Sequence, residues 1–312
     1  MLHRHNIFLP NRCLLRLLHS SHSISNSLNE SALDAWIQQP KQLTLSATLH
    51  PDHLADLYIT LPTRDATPPP PTGAPLGFGH HLAFFHPRTP AGALRADGTD
   101  ADFCPPAPFV RRMWAGGRIA WRRALVVGER AKAVSTVARV EKKGFERGAP
   151  MVFVTQRVEV RGESGEAGVV EERAHVYLPA GVEAGKRRVR AVDGLPSPDF
   201  SFMFTPTPTT LFRFSALTFN GHYIHLDRDY AQHSEGYPER LVHGPLTALM
   251  LLETLVLHHP DAQLKTFEYR ALNPVVVNRE LTIYGAWESK DTVSLWTQDR
   301  DGVVGMRGTV SL

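Results

Sequence analysis

The stretch "VHGPLTALMLLETLVLHHP", residues 242–260, decides the fold. Leu246, Leu249, Met250, Leu251, Leu252, Leu255 and Val256 fall on every side of a helical wheel, so this helix must be buried nearly all round. Gly244-Pro245 suits a helix start and His-His-Pro a stop. Four segments of strand composition follow, at 263–272, 278–288, 291–299 and 302–311. A buried helix followed by a four-stranded antiparallel meander predicts an α+β layout, a curved sheet wrapped around one helix. Upstream, "KAVSTVARVEKK" (132–143), "PMVFVTQRVEVRG" (150–162) and "VVEERAHVYLP" (169–179) predict a second antiparallel meander, whose central helix is degenerate.

The rest of the chain joins these units. "SALDAWI" (31–37) reads as a short amphipathic helix, and the proline tract of 63–75 as an extended loop. Proline and glycine break up 80–119, which reads as irregular structure with one buried piece around Leu82 to Phe85. The expected division is a first unit at 30–190, a proline-rich linker at 191–208 and a second unit at 209–312. A strand is expected near 209–217 and a short helix across "DRDYAQHS" (227–234).

Lysine and arginine number 34 against 31 acidic residues, but Arg4, Arg12 and Arg16 lie in a start with no acid before Glu30. Without those three the charges balance, so the basic footprint of a nucleic-acid binder is absent. The Arg- and Ser-rich leader, residues 1–29, reads as a mitochondrial presequence and predicts a matrix location. No apolar run reaches the roughly 20 residues of a membrane helix. Cys104, the one cysteine beyond the leader, sits in "DFCPPAPF" with no base beside it and reads as a loop thiol.

The chemistry concentrates in "FSALTFNGHYIHLDRDYA", residues 214–231. A metal site would use His222, His225, Asp227 and Asp229, but Gly221 argues against the regular helix that would converge them, and no metal or other cofactor is expected. Together with "LVHGPLTALMLLE" (241–253), this run resembles the MaoC-like, R-specific hydratase group of the hot dog superfamily. Aligned on His225, Asp227 and Ala231 match that group's motif, while Asn220 stands where the group carries an aspartate. "GHHLAFFHPRTPAGALRADGTD" (79–100), "PPAPFVRRMWAGGRI" (105–119) and "EERAHVYLP" (171–179) are similar to the mitochondrial hydroxyacyl-thioester dehydratases type 2.

The resemblance implies a double hot dog, with two curved antiparallel sheets each wrapping a helix. It also implies reversible loss of water at carbons 2 and 3 of an acyl thioester, either carrier-protein-bound in fatty-acid synthesis or CoA-bound. A short dicarboxylic acyl-CoA is the rival substrate. A non-catalytic carrier-binding subunit and a thioesterase are the rival classes, and a homodimer is compatible with the reading. For the dehydration, His225 is the candidate acid–base residue, since a neutral imidazole can take the C2 proton and return one to the departing hydroxyl. The Gly244 N–H, at the positive end of the buried helix, is the candidate donor to the thioester oxygen. Asn220 cannot transfer a proton and is expected to hold the hydroxyl or water. His222, His243 and Arg118 are candidate substrate contacts, Arg118 from a basic stretch with Arg111, Arg112, Arg122 and Arg123. Asp227 and Asp229 are expected to cap the following helix.

Overall fold

A computed structural model describes residues 28–179 and 189–312; the expected leader lies, through residue 27, outside them. The first half runs α1 (Glu30–Gln38), β1 (Gln42–Thr48), α2 (Pro51–Tyr58), β2 (Phe109–Trp121), β3 (Arg130–Lys143), β4 (Met151–Arg161) and β5 (Ala167–Pro179). The second runs β6 (Phe200–Phe204), α3 (Pro208–Leu217), α4 (Tyr223–Leu226), α5 (Gly244–His258), β7 (Thr266–Ala271), β8 (Leu281–Ser289), β9 (Thr292–Asp299) and β10 (Val304–Ser311).

The strands form one ten-stranded sheet in the order β1-β3-β4-β5-β2-β7-β10-β9-β8-β6, and every pairing is antiparallel. Each half has the same internal order, its first strand outermost and its second innermost. The halves meet where β2 pairs with β7 from Gly116↔Arg270 to Ala120↔Thr266. The two separate sheets expected from sequence are therefore joined into one. Gly116 and Gly117 permit that seam: a Cβ on Gly116 would stand 2.4 Å from the Tyr269 carbonyl oxygen, and one on Gly117 2.9 Å from the Tyr269 hydroxyl.

Helix α5 is buried along most of its length, from Leu246 through Leu255. Each fully buried leucine contributes roughly 1.5–3 kcal/mol. Its one internal charge, Glu253, is satisfied from the first half. Arg64 donates to it at 2.5 and 2.9 Å, Thr63 at 3.1 Å, and His80 Nε2 lies 2.8 Å away.

Four details correct the sequence reading. Residues 208–217 are helix, because Thr207 closes a capping box with Thr210 and Pro208 occupies the first turn. The supposed linker contains β6, whose Phe200 pairs with Gly285. The "irregular" 80–119 segment ends in the long strand β2, and β7 pairs with β10 rather than extending a simple meander from β8.

Candidate active site

The site forms where the loop after α3 is pinned against the first half. Phe219 turns the chain with a φ of 48°, and the Asn220 N–H donates to the Ser215 carbonyl at 2.8 Å. The Asn220 side-chain oxygen then accepts the His222 N–H at 3.0 Å. The loop containing Asp97 and Gly98 docks here, with the Tyr223 N–H donating to the Asp97 carbonyl at 2.9 Å. Gly98, at φ 81°, must be glycine, since a Cβ would stand 2.2 Å from the Gly221 carbonyl oxygen. The Asp97 carboxylate is buried, accepts both the N–H and the hydroxyl of Thr99, and stands 3.9 Å from His222 Nε2.

His225 follows on α4. Its Nδ1 lies 2.8 Å from the Leu241 carbonyl, which can only accept, so Nδ1 carries the hydrogen and Nε2 keeps a free lone pair. The ring stacks on His243 at 3.6 Å between centroids and meets His222 edge-on at 5.5 Å. His243 is itself fixed by a 2.9 Å hydrogen bond between Nε2 and the Ser215 hydroxyl. Burial lowers the His225 pKa to about 4, partly offset by the Leu241 carbonyl and helped by the nearby Arg112 charge. Burial, followed by the neighbouring charges, also places His222 and His243 well below the ordinary imidazole value. At neutral pH the three rings are uncharged, as a general base must be.

The N-terminus of α5 lies beside these rings, since Gly244 directly follows His243. As the first helical residue, Gly244 has an N–H without an intrahelical acceptor, at the positive end of the helix dipole. Its missing side chain makes room for Trp114 of β2: a Cβ would stand 2.7 Å from Trp114 Cβ and Cγ.

A cavity of about 1520 Å³ opens onto this cluster, lined by Asn220, His222, His225 and Gly244 of the second half and by Arg112, Trp114 and His175 of the first. Four of the sequence candidates thus converge on one space. Two do not. His243 lies behind His225 and outside the lining, where it supports the catalytic candidate's ring instead of meeting substrate. Arg118 is also absent from the lining; it is exposed on β2, opposite Glu172 and Glu268 of the flanking strands. Sequence reading missed Asp97, Trp114 and His175, and singled out Arg118 where Arg112 of the same basic stretch is the one that lines the cavity. Only the turn signature "ADGTD" (96–100) hinted at the docking loop. Among the described residues no three His, Cys, Asp or Glu side chains converge as metal ligands.

Solved structures share this architecture. A MaoC-like dehydratase from Phytophthora capsici superposes with a TM-score of 0.66 at 14% identity, covering 91% of this chain and 98% of that one. The fold is therefore that of the MaoC-like hot dog dehydratases. The family described as hydroxyacyl-thioester dehydratase type 2 matches residues 79–277, and the chain belongs to it. Its members are hydro-lyases of acyl thioesters. The mesaconyl-C(4)-CoA hydratase of Chloroflexus aurantiacus is 36% identical over 79% of this chain and 89% of its own. The mitochondrial hydroxyacyl-thioester dehydratase type 2 of Schizosaccharomyces pombe is 30% identical over 70% of this chain and 79% of its own.

Proposed function

We propose that this hydro-lyase interconverts (3R)-3-hydroxyacyl and trans-2-enoyl thioesters, with His225 as its acid–base residue. The observation that carries the reading is the free Nε2 of His225, held by the Leu241 carbonyl at Nδ1, on the same cavity as the first N–H of α5. In dehydration, Nε2 takes the C2 proton, the Gly244 N–H receives the enolate oxygen, and the C3–O bond breaks as His225 returns the proton. The products are the C2=C3 double bond and water. With its oxygen committed to the His222 N–H, Asn220 offers its amide hydrogens to the hydroxyl.

The repeated strand order supports a double hot dog, with 30–190 the non-catalytic unit that shapes the acyl tunnel and 209–312 the catalytic one. The leader supports a mitochondrial matrix location, tested by fusing residues 1–35 to a reporter. Carrier-bound substrates of fatty-acid synthesis are the first reading. A short dicarboxylic acyl-CoA, the kind of substrate named for the Chloroflexus relative, is the second, and it is favoured by a partly buried arginine, Arg112, on the same cavity as the histidines. Following enoyl absorbance and thiol release together, on carrier-bound and CoA-bound substrates, tests the reaction. Loss of enoyl absorbance without thiol release is expected; thiol release alone would mean a thioesterase.

A further inference from the structure

Among the described residues, five arginines of the first half are largely buried: Arg95 donates to the Thr99 hydroxyl, Cys104 Sγ and the Val110 carbonyl, and three others are tightly matched to carboxylates. Arg64 holds Glu253 at 2.5 Å, Arg111 holds Glu235 at 2.5 Å, and Arg173 reaches Glu171 at 2.8 Å. Arg112 differs. Its side chain is 17% exposed, yet its carboxylate partner, Asp100, stands 3.6 Å away, beyond hydrogen-bond length. The guanidinium also faces the Tyr177 hydroxyl, which still leaves donors of its five-hydrogen fork uncommitted. Both Arg112 and Asp100 line the cavity.

The surroundings set what this cation can bind. Across the sheet Arg112 pairs with Tyr177, and next to it Trp114 meets His175 edge-on at 5.0 Å. Burial and the neighbouring arginines hold His175 down at about 3, so it adds no charge. Arg112 is close enough to His222 and His225 for its charge to lower the proton affinity of both. Two positions along the same strand Trp114 abuts Gly244 at the start of α5, so the cation shares the stretch of cavity wall that faces the reacting groups. An anion bound there would belong to the acyl group, since the phosphates of a CoA or carrier arm lie a whole pantetheine away from the thioester.

Resting on the hydro-lyase reading above, we infer that Arg112 is the anchor for a carboxylate carried on the acyl chain, and that Asp100 occupies the anchor loosely until such a substrate displaces it. A planar guanidinium matches a carboxylate in two parallel hydrogen bonds, an arrangement the 3.6 Å pair with Asp100 does not reach. The preferred substrate is then the thioester of a short dicarboxylic acid.

Crotonyl-CoA and fumaryl-CoA test this, because they differ only in a methyl against a carboxylate beyond the double bond. The wild-type enzyme should favour fumaryl-CoA in kcat/KM. Arg112→Gln should lower the fumaryl-to-crotonyl ratio by about 10- to 100-fold, the worth of a charged hydrogen-bonded contact. Should the glutamine variant misfold, Arg112→Lys and Asp100→Asn carry the test. The lysine variant should retain part of the preference, and the asparagine variant should strengthen it by removing the competing carboxylate. A ratio untouched in all three variants overturns the inference. So does a wild-type enzyme that hydrates crotonyl-CoA but not fumaryl-CoA, a result that leaves the proposed reaction standing. Hydration of neither CoA thioester overturns this inference, and it overturns the proposed reaction too if carrier-bound crotonyl thioester is also left unhydrated.

Discussion

Replacing Gly244 with alanine tests the least conspicuous part of the site. The added Cβ would stand 2.7 Å from Trp114 Cβ and Cγ and 2.9 Å from Cδ1. Carbon atoms rest at about 3.5–4.0 Å, so the overlap is about 1 Å. Trp114 cannot swing aside, because two of these atoms lie next to the backbone of β2, which is paired with His175 of β5 at this residue and with β7 from Gly116 onward. The first turn of α5 must move instead. Overpacking of this kind costs about 1–3 kcal/mol, and a catalytic group misplaced by about 1 Å costs on the order of 10²-fold in rate. Gly244→Ala is therefore expected to lower the melting temperature modestly and kcat by about 10²-fold in an enoyl-thioester hydration assay. Trp114→Gly removes all three clashing atoms. Combined with Gly244→Ala it should lose less than the sum of the single effects, with a coupling of about 0.5–3 kcal/mol. Wild-type kcat in Gly244→Ala, or strictly additive losses in the pair, would refute the reasoning.

Other substitutions separate the remaining roles. His225→Ala should lower turnover by about 10²–10⁴-fold, whereas Asn220→Ala should cost only one or two hydrogen bonds, about 1–3 kcal/mol, in kcat/KM. The roles are wrong if that order is reversed. Asn220→Asp keeps the acceptor for the His222 N–H and adds a negative charge, which raises the His225 pKa from about 4. The variant should stay active with the acid limb of its pH–rate profile moved to higher pH; an unmoved limb counts against His225. Folding stability should also depend on pH. His86 and His175 are held at about 3 and His225 at about 4 by burial, so between those values and about 6.5 the unfolded chain binds more protons. Stability is full above about pH 6.5 and falls on acidification, by about 1.4 kcal/mol per pH unit per histidine. Glu171 and Glu253, held at about 2, add to the loss only below about pH 4.5. Urea titrations at pH 7, 6 and 5 should show the decline, and His175→Gln should flatten it.

The parts legible in the sequence were those with a strong local pattern. The apolar α5, the alternating strands β3 to β5 and the cluster from Asn220 to His225 all stood out, and the cluster does line one cavity. Strand β2 was hidden by Gly116 and Gly117, which read as breakers although they are the condition for pairing with β7. Strand β6 was masked by prolines on both sides, and β1 by its brevity and half-exposed faces. In α3 the run Leu211-Phe212-Arg213-Phe214 imitated strand alternation, while the decisive signal, a Thr-Pro helix start, lay just before it. Asp97 and Trp114 could not be found locally, and Arg112 could not be told from the other arginines of its stretch. Each acts on residues more than a hundred positions downstream, and only the sheet brings them together.

The carboxylate of Glu253 has a consequence for how the reactive end of α5 is aimed. A cylinder of leucines in an apolar sleeve has little reason to prefer one azimuth over another. Glu253 removes that freedom, because its partners Arg64, Thr63 and His80 all hold it from the first half. It acts as an index pin, about two and a half turns along the shaft from Gly244. The bearing of the Gly244 N–H is thus keyed by a slot that the other half of the molecule supplies.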